Sequence, residues 1–412
     1  MKPIVTKHRP IYAILTFVFI LSLSLGFIPD QGTESAGKLE KYRSDQNSSG
    51  VVQEPGTIAA VNADANQMPL YGNWKNFYKK DGLASDKTYC VRIDKDRVLF
   101  GTHEGLSVYQ DGKWKTYTSE DGLAHNGVLA IDVSDLTGDV WLGTMGGLTR
   151  WSAGKFENFT QMNSGLPNDL IYAVTCDEKD VWVATGGGAG KLDTYSKEWE
   201  IFTEQNAPMH EPWTYGVSSG DGKIYIAAWG GGVVEYDKTT KQFRDYTDPD
   251  GNMEIDLFPD DGVVHDITTG TSWSEGKLWV GTYFGLSSYD GVKWKGYFDH
   301  DSGLASNFIN FVKASKGVAF ICTDKGLSTT DGNTWVTYVR NKSDENGNAM
   351  ISNTVTTSKV DMKPSLPHNY ILGVDISEDI IWVATSQGVS RGEKLQMDVA
   401  FQLPGNPKKN HQ

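Results

Sequence analysis

One recurring phrase constrains this chain more than any other feature. It reads aromatic-x-(Gly/Ala)-Thr, followed shortly by Gly-Leu-Ser, and it occurs seven times with variations. The copies begin with Leu99-Phe100-Gly101-Thr102 and Gly105-Leu106-Ser107, then Trp141-Leu142-Gly143-Thr144 and Gly147-Leu148-Thr149, then Trp182-Val183-Ala184-Thr185. The fourth drifts to Tyr225-Ile226-Ala227-Ala228 with Gly231-Gly232-Val233. The last three are Trp279-Val280-Gly281-Thr282, Phe320-Ile321-Cys322-Thr323 and Trp382-Val383-Ala384-Thr385, each with its own Gly-Leu-Ser or Gly-Val-Ser. Steps between the third residues are 42, 41, 43, 54, 41 and 62. Four short strands with their hairpins occupy roughly 40 residues, so each copy marks one blade of a propeller.

Each unit holds four strand-like segments. Strand a is apolar and alternating, as in Val128 to Val133; strand b carries the aromatic phrase; strand c follows Gly-Leu-Ser; strand d is short and aromatic, as in Trp114 to Tyr117. A period of two puts Trp141 and Gly143 on one face of strand b and Leu142 and Thr144 on the other. A large aromatic can then pack between adjacent sheets while its small neighbour admits the facing blade, so the repeated tryptophans and threonines are expected to be scaffold. The 45 glycines suit the many turns, since glycine takes the positive φ that tight hairpins need. Strand d also occurs seven times, beginning at Trp74, Trp114, Phe156, Trp199, Phe243, Trp294 and Trp335. The first of these precedes the first a-b-c set. The expected fold is therefore all-β, a seven-bladed β-propeller over residues 73–391 whose last blade is closed by the N-terminal strand Trp74 to Tyr78. Leu395 to Phe401 is the competing closer. Closure removes both sheet edges, which otherwise invite aggregation.

These repeats resemble the two-component-regulator propeller repeat family, found in the periplasmic sensor regions of hybrid histidine kinases and in related stand-alone proteins. The turns before strand a add to the likeness: Asp81-Gly82-Leu83, Asp121-Gly122-Leu123, Ser164-Gly165-Leu166 and Ser302-Gly303-Leu304. The fourth unit departs from the pattern, with Ala228 for Thr and no clear Gly-Leu ahead of strand a. The resemblance implies ligand sensing, often of glycans, on behalf of an attached kinase. The expected role is that of an extracytoplasmic ligand- or protein-binding propeller serving as a sensory or assembly module.

The N-terminus carries its own signal. Lys2, Lys7, His8 and Arg9 precede an apolar run from Ile11 to Ile28, which reads as an export signal. Its 18 residues suit either a cleaved signal peptide or a retained membrane anchor, assigned to residues 1–29. Residues 30–72, rich in Ser, Gly, Gln, Asn and Ala, read as a flexible linker, and residues 392–412 as a C-terminal strand or tail. The bulk of the protein is expected outside the cytoplasm, periplasmic or secreted, or held to the cell membrane by the N-terminal segment. A formal charge of −14 excludes a nucleic-acid partner of the usual basic kind. Three cysteines, Cys90, Cys176 and Cys322, supply neither a disulfide framework nor metal-ligand spacing.

Propellers bind through the loops at one rim and the mouth of the central channel. Aligning the units puts Ser85, His125, Asn168, Glu211, Ser306 and His368 at one position before strand a, with Asp86, Asn126, Asp169, Pro212, Asn307 and Asn369 next. Convergent donors and acceptors of this kind can orient a ligand, although Asn and Asp also cap turns readily. Inside strand a, Asp266 is aligned with Cys90, Ala130, Ala173, Gly216, Phe311 and Gly373, and stands out as a channel carboxylate. Two long entries, Thr247 to Asp261 and Arg340 to Pro367, read as functional or disordered loops on the same face. Trp213 is a candidate stacking residue for a sugar ring. The expected ligand-binding set is thus His125, Asn126, Asn168, Asp169, Glu211, Trp213, Asp266, Asn307, His368 and Asn369, for a carbohydrate, peptide or protein partner, with no cofactor and no metal. A faint calcium-loop echo at Asp248 to Asn252 lacks the terminal Glu. The alternative is a periplasmic lyase or hydrolase using His125, Glu211, Asp266 and His368 as acid–base groups.

Overall fold

A computed structural model describes residues 68–248 and 262–395. The expected export segment and most of the tether, the calcium-like residues 249–252, most of the entry to the fifth blade (249–261) and the tail 396–412 lie outside them. Each of the seven phrases occupies the second strand of its own antiparallel sheet. Blade 1 runs Thr88–Asp94, Arg97–Thr102, Gly105–Gln110 and Lys113–Tyr117, and the pattern repeats to blade 7, whose inner strands are Ile371–Ile376, Ile380–Thr385 and Gly388–Lys394. Blade 7 takes its outer strand from the other end of the chain: Tyr71–Phe77 pairs antiparallel with Gly388–Lys394. Met68 and Leu70 are buried ahead of that strand, at 6% and 1% exposure, so the packed unit extends on both sides of residues 73–391 and takes in the end of the expected linker.

Why the ring holds is visible in the aromatic phrase. Trp141, from blade 2, is buried against Leu166, Ile171 and Val183 of blade 3. Trp182 meets Ile224, Val234 and Tyr236 of blade 4, and Trp279 meets Ile309 and Ile321 of blade 6. Trp382 packs on Val91 and Phe100 of blade 1, which carries the same contact across the closure. The leucine of each Gly-Leu turn is a second anchor, and the divergent blades keep it in other guises: Leu83, Leu123, Leu166, Met209, Val263, Leu304 and Leu366 are all buried.

The motif threonines fasten the b-to-c turn. Thr144 Oγ1 donates to the Gly147 carbonyl at 2.6 Å and accepts the Gly146 amide at 3.1 Å, an arrangement shared by Thr102, Thr185, Thr282, Thr323 and Thr385. Blade 4 has Ala228 instead, and Thr268 of blade 5 supplies the hydroxyl, donating to the carbonyls of Ala228 and Gly232 at 2.9 and 2.6 Å. The glycine ending this turn has positive φ in all seven blades. At Gly188, with φ of +113°, a Cβ would stand 2.4 Å from the Phe202 carbonyl. Gly188→Ala therefore combines backbone strain with a clash against fixed backbone, and is expected to cost about 2–4 kcal/mol in chemical denaturation. Loss of less than about 0.5 kcal/mol would show that this turn relaxes freely.

Two sequence expectations are corrected. The stretch from Arg340 to Pro367 is not an open loop: Gly347–Ser352 and Thr357–Met362 form a hairpin that extends blade 6 to six strands. Its alternating Ala349, Ile351, Val360 and Met362 pack toward Tyr71, Trp74 and Leu395, so it braces the closing strand from outside. Asp266 is not inside strand a either. Gly270 pairs with Gly281 as Cys90 pairs with Gly101, so Gly270 holds that register and Asp266 lies four residues earlier. The apolar Val263-Val264 mimics a strand start, yet Val263 fills the buried leucine position of the entry turn.

Candidate functional site at the channel mouth

The corrected register completes both polar rings. His265 joins Ser85, His125, Asn168, Glu211, Ser306 and His368, and Asp266 joins Asp86, Asn126, Asp169, Pro212, Asn307 and Asn369. The second ring is occupied by turn capping. Asn126 accepts the Ser119 amide at 2.7 Å, Asp169 that of Gln161 at 2.7 Å, and Asp266 that of Asp248 at 2.8 Å. Asn307 accepts the Asp299 amide at 2.8 Å, and Asn369 both accepts from and donates to the backbone of Arg340, at 2.7 and 2.9 Å. Each side chain thus staples the d-to-a loop to the start of its blade.

The first ring caps one step further on. Nδ1 of His125, His265 and His368 accepts the amide two residues later, at 2.9, 3.0 and 3.0 Å, and Asn168 Oδ1 accepts from Leu170 at 2.9 Å. With Nδ1 accepting, a neutral ring carries its proton on Nε2. Burial lowers His265 to about 4, and burial together with the Arg340 charge lowers His368, so both are neutral at pH 7. Among the described residues, His125 and His368 bond to backbone amides and to Ser386, not to a carboxylate. Glu211 is exposed beside Gly230. Among the described residues no group of three His, Cys, Asp or Glu is placed to hold a metal ion. The three cysteines are free, and burial raises the pKa of each.

At the same rim, one position varies from blade to blade. In every blade the residue after the motif threonine position donates its amide to the residue that precedes strand a: His103 to Lys87, Met145 to Gly127, Gly186 to Leu170, Trp229 to Trp213, Tyr283 to Ile267, Asp324 to Phe308 and Ser386 to Tyr370. The backbone repeats seven times here and the side chains do not. Aromatic rings gather on blades 3 to 6. Tyr172 stacks on Tyr215 with centroids 4.3 Å apart, Tyr215 lies 4.8 Å from Trp229, Trp229 meets Tyr283 edge-on at 4.8 Å, and Tyr283 meets Phe308 edge-on at 4.0 Å. Trp213 is half-buried against Gly186, where an added Cβ would stand 2.6 Å from the indole nitrogen. Of the expected site residues, Trp213 lies beside this arc, its carbonyl accepting the Trp229 amide at 2.8 Å. Elsewhere, a cleft of about 520 Å³ on the flank of blades 3 and 4 has its Lys191 paired with Glu200 at 2.5 Å over the core rings Phe202 and Tyr236.

No family model and no curated protein matches the chain. Solved structures do. The extracellular domain assigned to the hybrid two-component system BT3049 of B. thetaiotaomicron superposes with a TM-score of 0.57 at 18% identity, over 77% of this chain and 41% of that one. The corresponding domain of BT4673 gives 0.59 at 17%, over 78% and 40%. The chain shares the propeller fold of those extracellular domains and spans about two fifths of their length. Virginiamycin B lyase from Staphylococcus aureus shares the architecture, at a TM-score of 0.55 and 12% identity over 78% of this chain and 99% of the lyase.

Proposed function

We propose that this chain is an extracytoplasmic binding or sensing propeller that takes its partner at the channel mouth, over the aromatic arc of blades 3 to 6. One observation carries the reading: a seven-fold constant backbone presents side chains that break the symmetry, and the break concentrates rings on one side of the mouth. Scaffold positions in a repeat protein converge on one residue type, as the motif threonines do; positions free of that demand can serve recognition. Ring faces with a few polar groups at their edges suit a sugar, a peptide or a segment of protein. The polar rings, including His125, Asn168 and Glu211, then frame the mouth and position its loops.

The test is capture of partners by the full chain beside versions carrying Trp213→Ala and Phe308→Ala, with bound molecules quantified by mass spectrometry. Removing one stacking ring is expected to weaken saturable binding about tenfold, while the melting temperature stays near that of the parent. Undiminished binding by both variants would move the site away from the mouth.

A further inference from the structure

At the position held by His103, Met145, Gly186, Trp229, Tyr283 and Ser386 in the other blades, blade 6 has Asp324, the one carboxylate among the seven. Its Oδ1 is buried and has no hydrogen-bond partner among the described residues, and no ion pair to Asp324 forms among them. A buried carboxylate oxygen without a donor is costly, so a ligand that brought positive charge would recover that energy. Aromatic residues adjoin it along the backbone and in the next blade. Asp324 donates its amide to the Phe308 carbonyl at 3.4 Å, the Phe308 ring meets Tyr283 at 4.0 Å, and Tyr370 occupies the place of Phe308 in the next blade. Burial, and then the Asp324 charge, push the Tyr370 phenol up to about 12.

We infer that Asp324 and the rings of Tyr283, Phe308 and Tyr370 form a subsite for a small organic ammonium group. Ring faces attract a cation through their quadrupole, the carboxylate supplies the opposite charge, and together they favour a bulky, weakly hydrated ammonium over a metal ion. The net charge of −14 raises the local concentration of cations. Neutral histidines at the neighbouring entries add no competing charge. The inference rests on the mouth being the binding surface and names the chemistry recognised there.

Choline and its neutral isostere, in which carbon replaces the quaternary nitrogen, differ in charge and hardly in shape. Titrating the full chain with each, by calorimetry and tryptophan fluorescence, is expected to give saturable choline binding at least about tenfold tighter than the isostere. Asp324→Asn preserves the shape and is expected to remove that preference, leaving the isostere and the melting temperature unchanged. Equal binding of the two probes, full choline affinity in Asp324→Asn, or no saturable choline binding in the millimolar range would each overturn the ammonium subsite. Failure of the mouth itself reads out separately, as partner capture that survives Trp213→Ala and Phe308→Ala.

Discussion

A chain that begins at Tyr78 is expected to lose cooperative unfolding, whereas one that begins at Asn66 melts as the full chain does. The deletion strips blade 7 of its outer strand and removes Leu70, Tyr71, Trp74 and Phe77, which are 1%, 2%, 3% and 6% exposed. Burial of a large side chain contributes about 1.5–3 kcal/mol, so the four together supply about 6–12 kcal/mol. That rivals the roughly 5–15 kcal/mol stability of a whole domain. The loss would not stay local. Trp74 meets Tyr338 of blade 6 edge-on at 5.6 Å, Phe77 stacks on Trp382 at 5.6 Å, and the Tyr71 amide donates to the Tyr338 hydroxyl at 2.9 Å. Near-ultraviolet circular dichroism during heating reads the transition. A peptide spanning residues 68–78, added in trans, should restore part of it. A truncated chain that melts within a few degrees of the parent would show that the ring closes by other means.

That closing strand is legible in the sequence, because counting strand d seven times with one copy out of phase leaves no other home for Trp74. Blade number, order and the scaffold role of Trp141 or Thr144 are legible for a similar reason: a repeat samples one local environment many times, so its demands become visible as recurrence. Register fails where recurrence fails. Blade 5 replaces Gly-Leu by Gly262-Val263, which looks like a strand start and draws Asp266 into strand a. The blade 6 hairpin is hidden because its apolar alternation at Ala349, Ile351, Val360 and Met362 is diluted by polar partners, which one exposed face requires. Alignment of the repeats locates the polar rings but not their chemistry, since an Asn that staples a loop and an Asn that waits for a ligand have the same spacing. The aromatic arc escapes altogether. Tyr172, Trp229 and Phe308 are far apart in the chain, and only the packing of each blade on the next brings one ring beside another.

Closure has an inner counterpart, and substituting it is expected to be the most damaging single substitution after the truncation. Asp375, 3% exposed on strand a of blade 7, accepts the Ile93 amide of blade 1 at 2.8 Å. It also pairs with Arg92 of blade 1 at 3.7 Å and with Lys313 of blade 6 at 3.1 Å, so one carboxylate ties three blades around the channel. Arg92 reaches on to Asp132 of blade 2 at 3.2 Å. Asp375→Ala removes the acceptor and leaves two cations facing each other. Breaking a buried pair costs about 3–5 kcal/mol, and the partial exposure of Arg92 and Lys313, 25% and 28% at their side chains, favours the lower end. Asp375→Asn keeps an oxygen for the Ile93 amide and loses only the charge, so it should fall between the parent and the alanine variant in urea denaturation. Combining Asp375→Ala with Arg92→Met should cost less than the sum of the two, because the orphaned cation is removed with its partner. Strict additivity would mean that the two side chains act independently, and the inner tie would then reduce to the Lys313 ion pair and the hydrogen bond from Ile93.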